Sequence, residues 1–509
     1  MARPVVILDF GAQYAQLIAR RVREIGFFSR IVPFDTPLDE LRSLDAAALI
    51  LSGGPKSVYD DGSPLPGRDV LTSGLPVLGI CYGMQAIAHL LGGDMLPATT
   101  REYGRATLST RAPSVLFGDE EGERTVWMSH GDTVKSPPPG FSTTAGTESV
   151  PVAAMEDPAR SLFAVQFHPE VVHTEGGREI LRRFLIDGAH LSPDWRMGDA
   201  IAEGIAAIRR TVGDGRAMVA LSGGVDSSVA AALVERAIGK NLIAVFVDHG
   251  LMRQGEGDVV EEAFTRTFPS TFRRIDASDR FITALSGVVD PERKRRIIGE
   301  LFIEVFREVA KGIGDVPYLV QGTLYPDVIE SGTSQAAVIK SHHNVGGLPA
   351  ELGFKLVEPL RDLFKDEVRQ MGRELGLPAA LVDRQPFPGP GLAIRIVGEV
   401  TRDRLDLLRA ADAIVREEVE TAGLAAGLWQ YFAVLPGARS VGVMGDGRTY
   451  DEAVVVRAVT SEDGMTADWA RLSHDFLDRL ASRLVREVRG VNRVLYDVTS
   501  KPPGTIEWE

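Results

Sequence analysis

The stretch that most constrains this chain runs from Ala217 to Ser228 and reads AMVALSGGVDSS. An apolar run ends in Ser222-Gly223-Gly224, and Asp226, Ser227 and Ser228 then open a second apolar run, Val229 to Ile238. That order predicts a strand, a tight glycine turn and a helix start, with backbone N–H groups and hydroxyls converging on one point. A phosphate suits such a point, and the plainer alternative is a strand-to-helix turn whose hydroxyls cap the helix. The usual nucleoside-triphosphate loop is excluded, because its Gly-x-x-x-x-Gly-Lys-Ser/Thr spacing is missing and the loop holds no lysine. Ser222, Gly223, Gly224, Val225, Asp226, Ser227 and Ser228 are therefore the candidate nucleotide-binding residues.

A chain of 509 residues exceeds one core and calls for two to four domains. The expected boundaries are 1–193, 194–383 and 384–509. The expected fold is α/β: two consecutive α/β domains with mostly parallel sheets, then a smaller α+β domain. Acidic residues outnumber basic ones, 70 to 56, which argues against broad nucleic-acid or anionic-membrane binding. No apolar run approaches the roughly 20 residues of a membrane span, and the N-terminus lacks a signal-peptide layout. With Cys81 the one cysteine, an internal disulfide is impossible, and a cytoplasmic enzyme is the expectation.

In the first region, Val5 to Phe10, Ala46 to Leu51 and Val77 to Ile80 read as buried strands separated by helical segments. Two of them end in glycine-bearing turns, Ser52-Gly53-Gly54-Pro55 and Gly79-Ile80-Cys81-Tyr82-Gly83, at the strand ends where such folds gather function. Cys81 sits between a strand and a helix, where a sharp turn would expose it and the positive helix end would favour its thiolate. It is a candidate nucleophile, set against the small buried hydrophobe that isolated cysteines usually are. A base is needed, and the strand pattern Leu162 to Phe167 ends in His168-Pro169-Glu170, where the carboxylate could orient the imidazole. His130, in the cluster Ser129-His130-Gly131-Asp132, is the alternative base or a pocket-lining group. Gly53, Gly54 and Tyr82 offer N–H groups for an oxyanion hole.

In the middle region, Asp226, Asp248 and Asp327 fall at or after strand ends, and Asp226 and Asp327 are the candidate metal ligands. Arg293, Lys294, Arg295 and Arg296 read either as a solvated helix face or as an arm that meets phosphates. Lys340-Ser341-His342-His343-Asn344 reads as part of a lid, without the third ligand that zinc would require. Arg361 to Leu375 is an amphipathic helix with Lys365 on its charged side. Beyond the rigid segment Arg384 to Leu392, two helices and a small sheet make the α+β module, whose proline-stiffened end carries Lys501. A cysteine amidase that frees ammonia and a phosphate loop that activates an oxygen together describe ATP-driven amination.

The motifs narrow this further. Gly79-Ile80-Cys81-Tyr82-Gly83-Met84-Gln85 and Phe167-His168-Pro169-Glu170 resemble the triad of class I glutamine amidotransferases. Ser222-Gly223-Gly224-Val225-Asp226-Ser227 resembles the loop of N-type ATP pyrophosphatases. Pro386 to Arg395 and Lys501 to Glu509 resemble the C-terminal signatures of glutamine-hydrolysing GMP synthases, and the likeness extends over essentially the whole chain. The resemblance implies glutamine bound near Gln85 and Ser129, ATP with Mg²⁺ at the central loop, and xanthosine 5′-monophosphate as acceptor. It also implies nucleotide contacts from Arg384, Gln430, Lys501 and Glu507, and a homodimer formed by the last module. Related amidotransferases with other ammonia-producing domains fit poorly with Cys81 on an elbow. A tRNA-thiolating enzyme would call for a basic surface and further cysteines.

Overall fold

A computed structural model describes residues 2–12, 14–96, 102–119, 122–267, 272–331, 353–444, 447–461 and 466–509. Lys340 to Asn344 lies outside the described residues. The chain forms two compact units, Met1–Ala200 and Ile201–Glu509.

The first unit is built on a nine-stranded sheet. Its order is Ser29–Pro33, Val5–Asp9, Ala48–Leu51, Val77–Ile80, Leu162–Val165, Ala154–Asp157, Ser142–Gly146, Glu102–Thr110 and Glu123–His130. The first five strands pair in parallel and the last four antiparallel. The parallel strands are apolar along their whole length, as strands covered on both faces must be, and Val5 to Leu8, Ala48 to Leu51 and Val77 to Ile80 are buried. The antiparallel extension alternates instead, with Tyr103 exposed and Leu108 buried on one strand.

The second unit begins with a five-stranded parallel sheet in the order Phe272–Asp276, Leu242–Asp248, Ala217–Leu221, Tyr318–Val320 and Lys355–Val357. The chain reverses direction across this sheet beside Ala217–Leu221, so the glycine–serine turn opens at a topological switch point. The final module sets helices Arg402–Thr421 and His474–Glu487 against a sheet centred on the long strand Gly447–Thr460. One apolar core runs from Met218, Val245 and Phe306 through Leu392 and Ile396 to Leu408, Val456 and Leu480. Each such side chain contributes about 1.5–3 kcal/mol when fully buried, so this continuity holds the loop and the last module in a fixed relation. The predicted strands and helices are found close to where they were expected, except that the helix expected from Arg361 begins at Lys365, after Phe364 takes the N-cap position, and the four antiparallel strands of the first sheet were not foreseen.

Candidate functional site

In the first unit the strand Val77–Ile80 turns into the helix Tyr82–Leu91 through Cys81 alone, with φ +52° and ψ −105°. L-residues rarely adopt that backbone, so the neighbours must enforce it. Glycines on both sides make the turn possible. A Cβ on Gly79 would lie 2.7 Å from the carbonyl of Gly83, and one on Gly83 would lie 2.7 Å from Leu51 Cβ. Gly83 N–H donates to the Ser52 carbonyl at 3.1 Å, which ties the helix start to the neighbouring strand end.

The cysteine is 3 % exposed, so the turn does not present it to bulk water. The sequence expectation of an exposed thiol is corrected on this point, because the Ser129 segment and the imidazole cover the elbow. Cys81 Sγ lies 3.5 Å from the Ser129 carbonyl oxygen and within hydrogen-bonding reach of His168. A Cβ placed on Gly53 would sit 3.1 Å from His168 Cε1 and 3.8 Å from Cys81 Cβ, so all three converge on one point. His168 Nδ1 pairs with Glu170 Oε1 at 2.7 Å, and both residues are almost fully buried. Burial alone would lower the imidazole's pKa, but the Glu170 charge and the Cys81 sulfur outweigh it and hold it well above 6.5. The backbone of His168 is fixed by its N–H on the Trp127 carbonyl and by Thr174 Oγ1 on its own carbonyl.

The remaining predicted residues gather at the same place. Gln85 Nε2 donates to the Asp132 carbonyl at 2.8 Å, which draws the 129–132 segment over the elbow. Tyr82 is the first helical residue, so its N–H is one of those without an acceptor inside the helix, and its hydroxyl donates to the Pro64 carbonyl. Gly54 is packed against the Phe10 carbonyl and the Tyr82 ring. His130 is buried with Nε2 3.3 Å from Glu102 Oε2, and burial lowers its pKa to about 4, with the His168 charge acting the same way. A neutral ring aimed at Glu102 is a weaker match to the base role than His168.

In the second unit, Gly223 takes φ +74° between the strand Ala217–Leu221 and the helix Val225–Ile238. Ser222 Oγ and Ser227 Oγ lie 3.2 Å apart, Gly224 N–H donates to Ser222 Oγ, and Ser228 Oγ donates to the Gly224 carbonyl. The hydroxyls thus hold the loop's shape while Ser222 stays exposed. Asp226 is gripped by Lys365 Nζ at 2.6 and 2.5 Å. Asp327 accepts from the Leu324 N–H at 3.1 Å. Asp248 pairs with Arg274 at 2.6 Å and accepts from Gly250 N–H, a structural use of that carboxylate. Among the described residues no group of three His, Cys, Asp or Glu side chains forms a metal cage. Asp226, in the first turn of the helix that follows the loop, nevertheless suits Mg²⁺, which takes one or two carboxylates and fills its sphere with water and phosphate oxygens.

Arg384 stands on this loop, donating from Nη1 to the Gly223 carbonyl at 2.6 Å and pairing with Glu256. Around Phe387 it meets Arg253 and Arg395, whose guanidinium carbons lie 4.4 and 5.3 Å from the ring centroid. Arg395 is fully buried and clasps Glu507 through two bonds of 2.9 and 2.7 Å. Arg253 and Arg416 both approach Asp412. Burial and mutual repulsion lower the Arg253 pKa to about 10 and that of Arg384 to about 9. Arg253 Nε and Arg395 Nη1 face the Asp412 carboxylate at 3.4 and 3.8 Å, and Arg253 Nη2 is buried with no hydrogen-bond partner among the described residues. A buried guanidinium nitrogen left so is a place for an anion. Gln430 Nε2 donates to the Pro386 carbonyl, and Lys501 is held by a backbone bridge to Ala467. Arg253 and Lys365 were missed as site residues by sequence reasoning. The available signals were an arginine just after the strand-end turn Asp248-His249-Gly250 and a lysine at a helix start, both weak.

Residues 6–187 match the family model "Glutamine amidotransferase class-I", and residues 417–508 match "GMP synthase C terminal domain". Similar proteins include one from Parafrankia sp. named "GMP synthase [glutamine-hydrolyzing]". It is 58 % identical over 99 % of this chain and 96 % of its own length. Proteins of the same name from Natranaerobius thermophilus and Carboxydothermus hydrogenoformans are each 54 % identical, over 99 % and 100 % of both chains respectively.

Proposed function

We propose a two-site amination mechanism for this chain, which belongs to the family of glutamine-hydrolysing GMP synthases. The reaction is the ATP-driven conversion of xanthosine 5′-monophosphate to GMP with nitrogen taken from glutamine. In the amidotransferase unit Cys81 Sγ attacks the side-chain amide carbon of glutamine. His168 takes the thiol proton and passes it to the departing nitrogen, releasing ammonia, and later takes a proton from the water that opens the thioester to glutamate and returns it to the Cys81 sulfur. Glu170 keeps the imidazole oriented and stabilises its charge, while N–H groups of Gly53, Gly54 and Tyr82 receive the oxyanion. Gln85, Ser129 and His130 shape the glutamine pocket.

At the second site the loop Ser222 to Ser228 cradles the ATP phosphates. The O2 oxygen of the acceptor nucleotide attacks the α-phosphorus and diphosphate leaves. Ammonia then attacks C2 and expels AMP. Asp226, with Asp327, would hold Mg²⁺, which when bound neutralises charge on the leaving diphosphate. Lys365 neutralises the Asp226 carboxylate in this structure. Arg384, Gln430, Lys501 and Glu507 line the acceptor site, and Arg253 joins them through Nη2 while its Nε pairs with Asp412. The domains are assigned as 1–193, 194–383 and 384–509, with the last forming a homodimer. A cytoplasmic location belongs to the same proposal; among the described residues no helix is long and apolar enough to cross a membrane.

The observation that carries the reading is a Cys81–His168–Glu170 elbow on the same chain as a glycine–serine turn with Arg384 bonded to its Gly223 carbonyl. The test is incubation with ATP, Mg²⁺, ammonium and xanthosine 5′-monophosphate. GMP, AMP and diphosphate are the expected products; formation of ADP and orthophosphate would rule the scheme out.

A further inference from the structure

Lys294 lies on the fourth residue of the helix Pro291–Ile313, amid a run of basic residues, and its side chain is fully buried. A solvated helix face does not do this. Its ammonium has three protons and three acceptors: the Ala393 carbonyl at 3.3 Å, the Ile396 carbonyl at 2.6 Å and the Glu509 carboxylate. The other oxygen of that carboxylate accepts from Gly398 N–H at 3.3 Å, and Arg295 donates to the Glu509 backbone carbonyl.

The acceptors straddle a second pair. Ala393 and Ile396 flank Arg395, and Glu509 lies two residues beyond Glu507, the partner that Arg395 clasps. The single ammonium therefore joins the turn that supplies Arg395 to the tail that supplies Glu507 and Lys501. We infer that Lys294 and Glu509 form a positioning strap that sets the tail 501–509 against the cationic cluster and thereby fixes the acceptor-nucleotide site. Burial works against the charged ammonium and Glu509 supports it. A buried ion pair adds little net stability compared with apolar groups of the same shape, whereas it does specify one register between segments. The inference rests on the proposed reading of Glu507 and Lys501 as acceptor-site residues.

The test uses the full chain with ammonium as nitrogen donor, so that the amidotransferase unit takes no part. Lys294→Met, Glu509→Gln and the double variant are compared with wild type. In both single variants amide exchange in 501–509 accelerates and the KM for xanthosine 5′-monophosphate rises on the order of ten-fold, while the KM for ATP and the glutaminase rate hold. The double variant is no worse than Lys294→Met, because both changes break one contact. Glu509→Gln keeps the cation and the backbone bond to Arg295, so it reports even where Lys294→Met fails to fold. Faster exchange with an unchanged nucleotide KM, or additive losses in the double variant, would overturn the strap. A Lys501→Ala variant with a normal nucleotide KM would instead strike the reading of the acceptor site, and the exchange rates would still show whether the strap exists.

Discussion

Replacing Gly83 by alanine tests the elbow through its backbone alone. The added methyl would sit 2.7 Å from Leu51 Cβ and closer still to the Leu51 carbonyl oxygen. Leu51 cannot give way, because its strand is fully buried and paired on both sides, with Leu8 and with Gly79. The helix Tyr82–Leu91 must then lift by about 1 Å, at an overpacking cost of about 1–3 kcal/mol. That lift carries Cys81 and the Tyr82 N–H away from His168 and Gly53. A displacement of about 1 Å at reacting atoms costs about 100-fold in rate, equivalent to about 2.7 kcal/mol in the barrier. Glutaminase kcat/KM should fall by about that factor, while ammonium-dependent GMP synthesis by the other unit is unchanged. Gly92→Ala, at the far end of the same helix with φ +86° and open space for a methyl, is the control. It should lower stability by about 1–2 kcal/mol and leave glutamine turnover intact. Glutamine turnover within about three-fold of wild type in Gly83→Ala would refute the claim that the Gly83–Leu51 approach sets the nucleophile.

Cys81→Ala should abolish glutamine-dependent synthesis and spare the ammonium-dependent rate; loss of both would show that the two chemistries share one site. Asp226→Ala should stop AMP and diphosphate formation with either nitrogen source, measured by direct product analysis, and an unchanged rate would remove Asp226 from the metal site. His130 and His249 are both buried, which lowers each pKa to about 4. Because the unfolded chain binds their protons first as pH falls from 6.5 towards 4, each site should remove about 3 kcal/mol of stability across that window. Denaturant unfolding at pH 7 and pH 4.5 measures this, and His249→Phe should flatten the acid loss in the second unit.

The strand-end turns were legible because their chemistry is local. Glycines before Cys81 and before Asp226 announce bends that few other residues permit, and His168-Pro169-Glu170 places a carboxylate two residues from an imidazole at a strand end. The antiparallel half of the first sheet was not anticipated, since strands such as Glu102–Thr110 are half-buried and mix polar with apolar residues. Thiol exposure was misjudged for a related reason: what covers Cys81 comes from residues 129 and 168.

The chain's own order of residues determined two local shapes, the Cys81 elbow and the glycine–serine turn, because each is built from consecutive positions with few conformational choices. Tertiary structure alone decided where the cations go. Lys365 and Lys294 both read as charged positions on amphipathic helices, yet one grips Asp226, 139 residues earlier, and the other grips Glu509, 215 residues later. A lysine's sequence neighbours reveal its helix but not the carboxylate that the fold will bring to it. The charge networks around the proposed nucleotide site therefore emerge only when the segments are packed together.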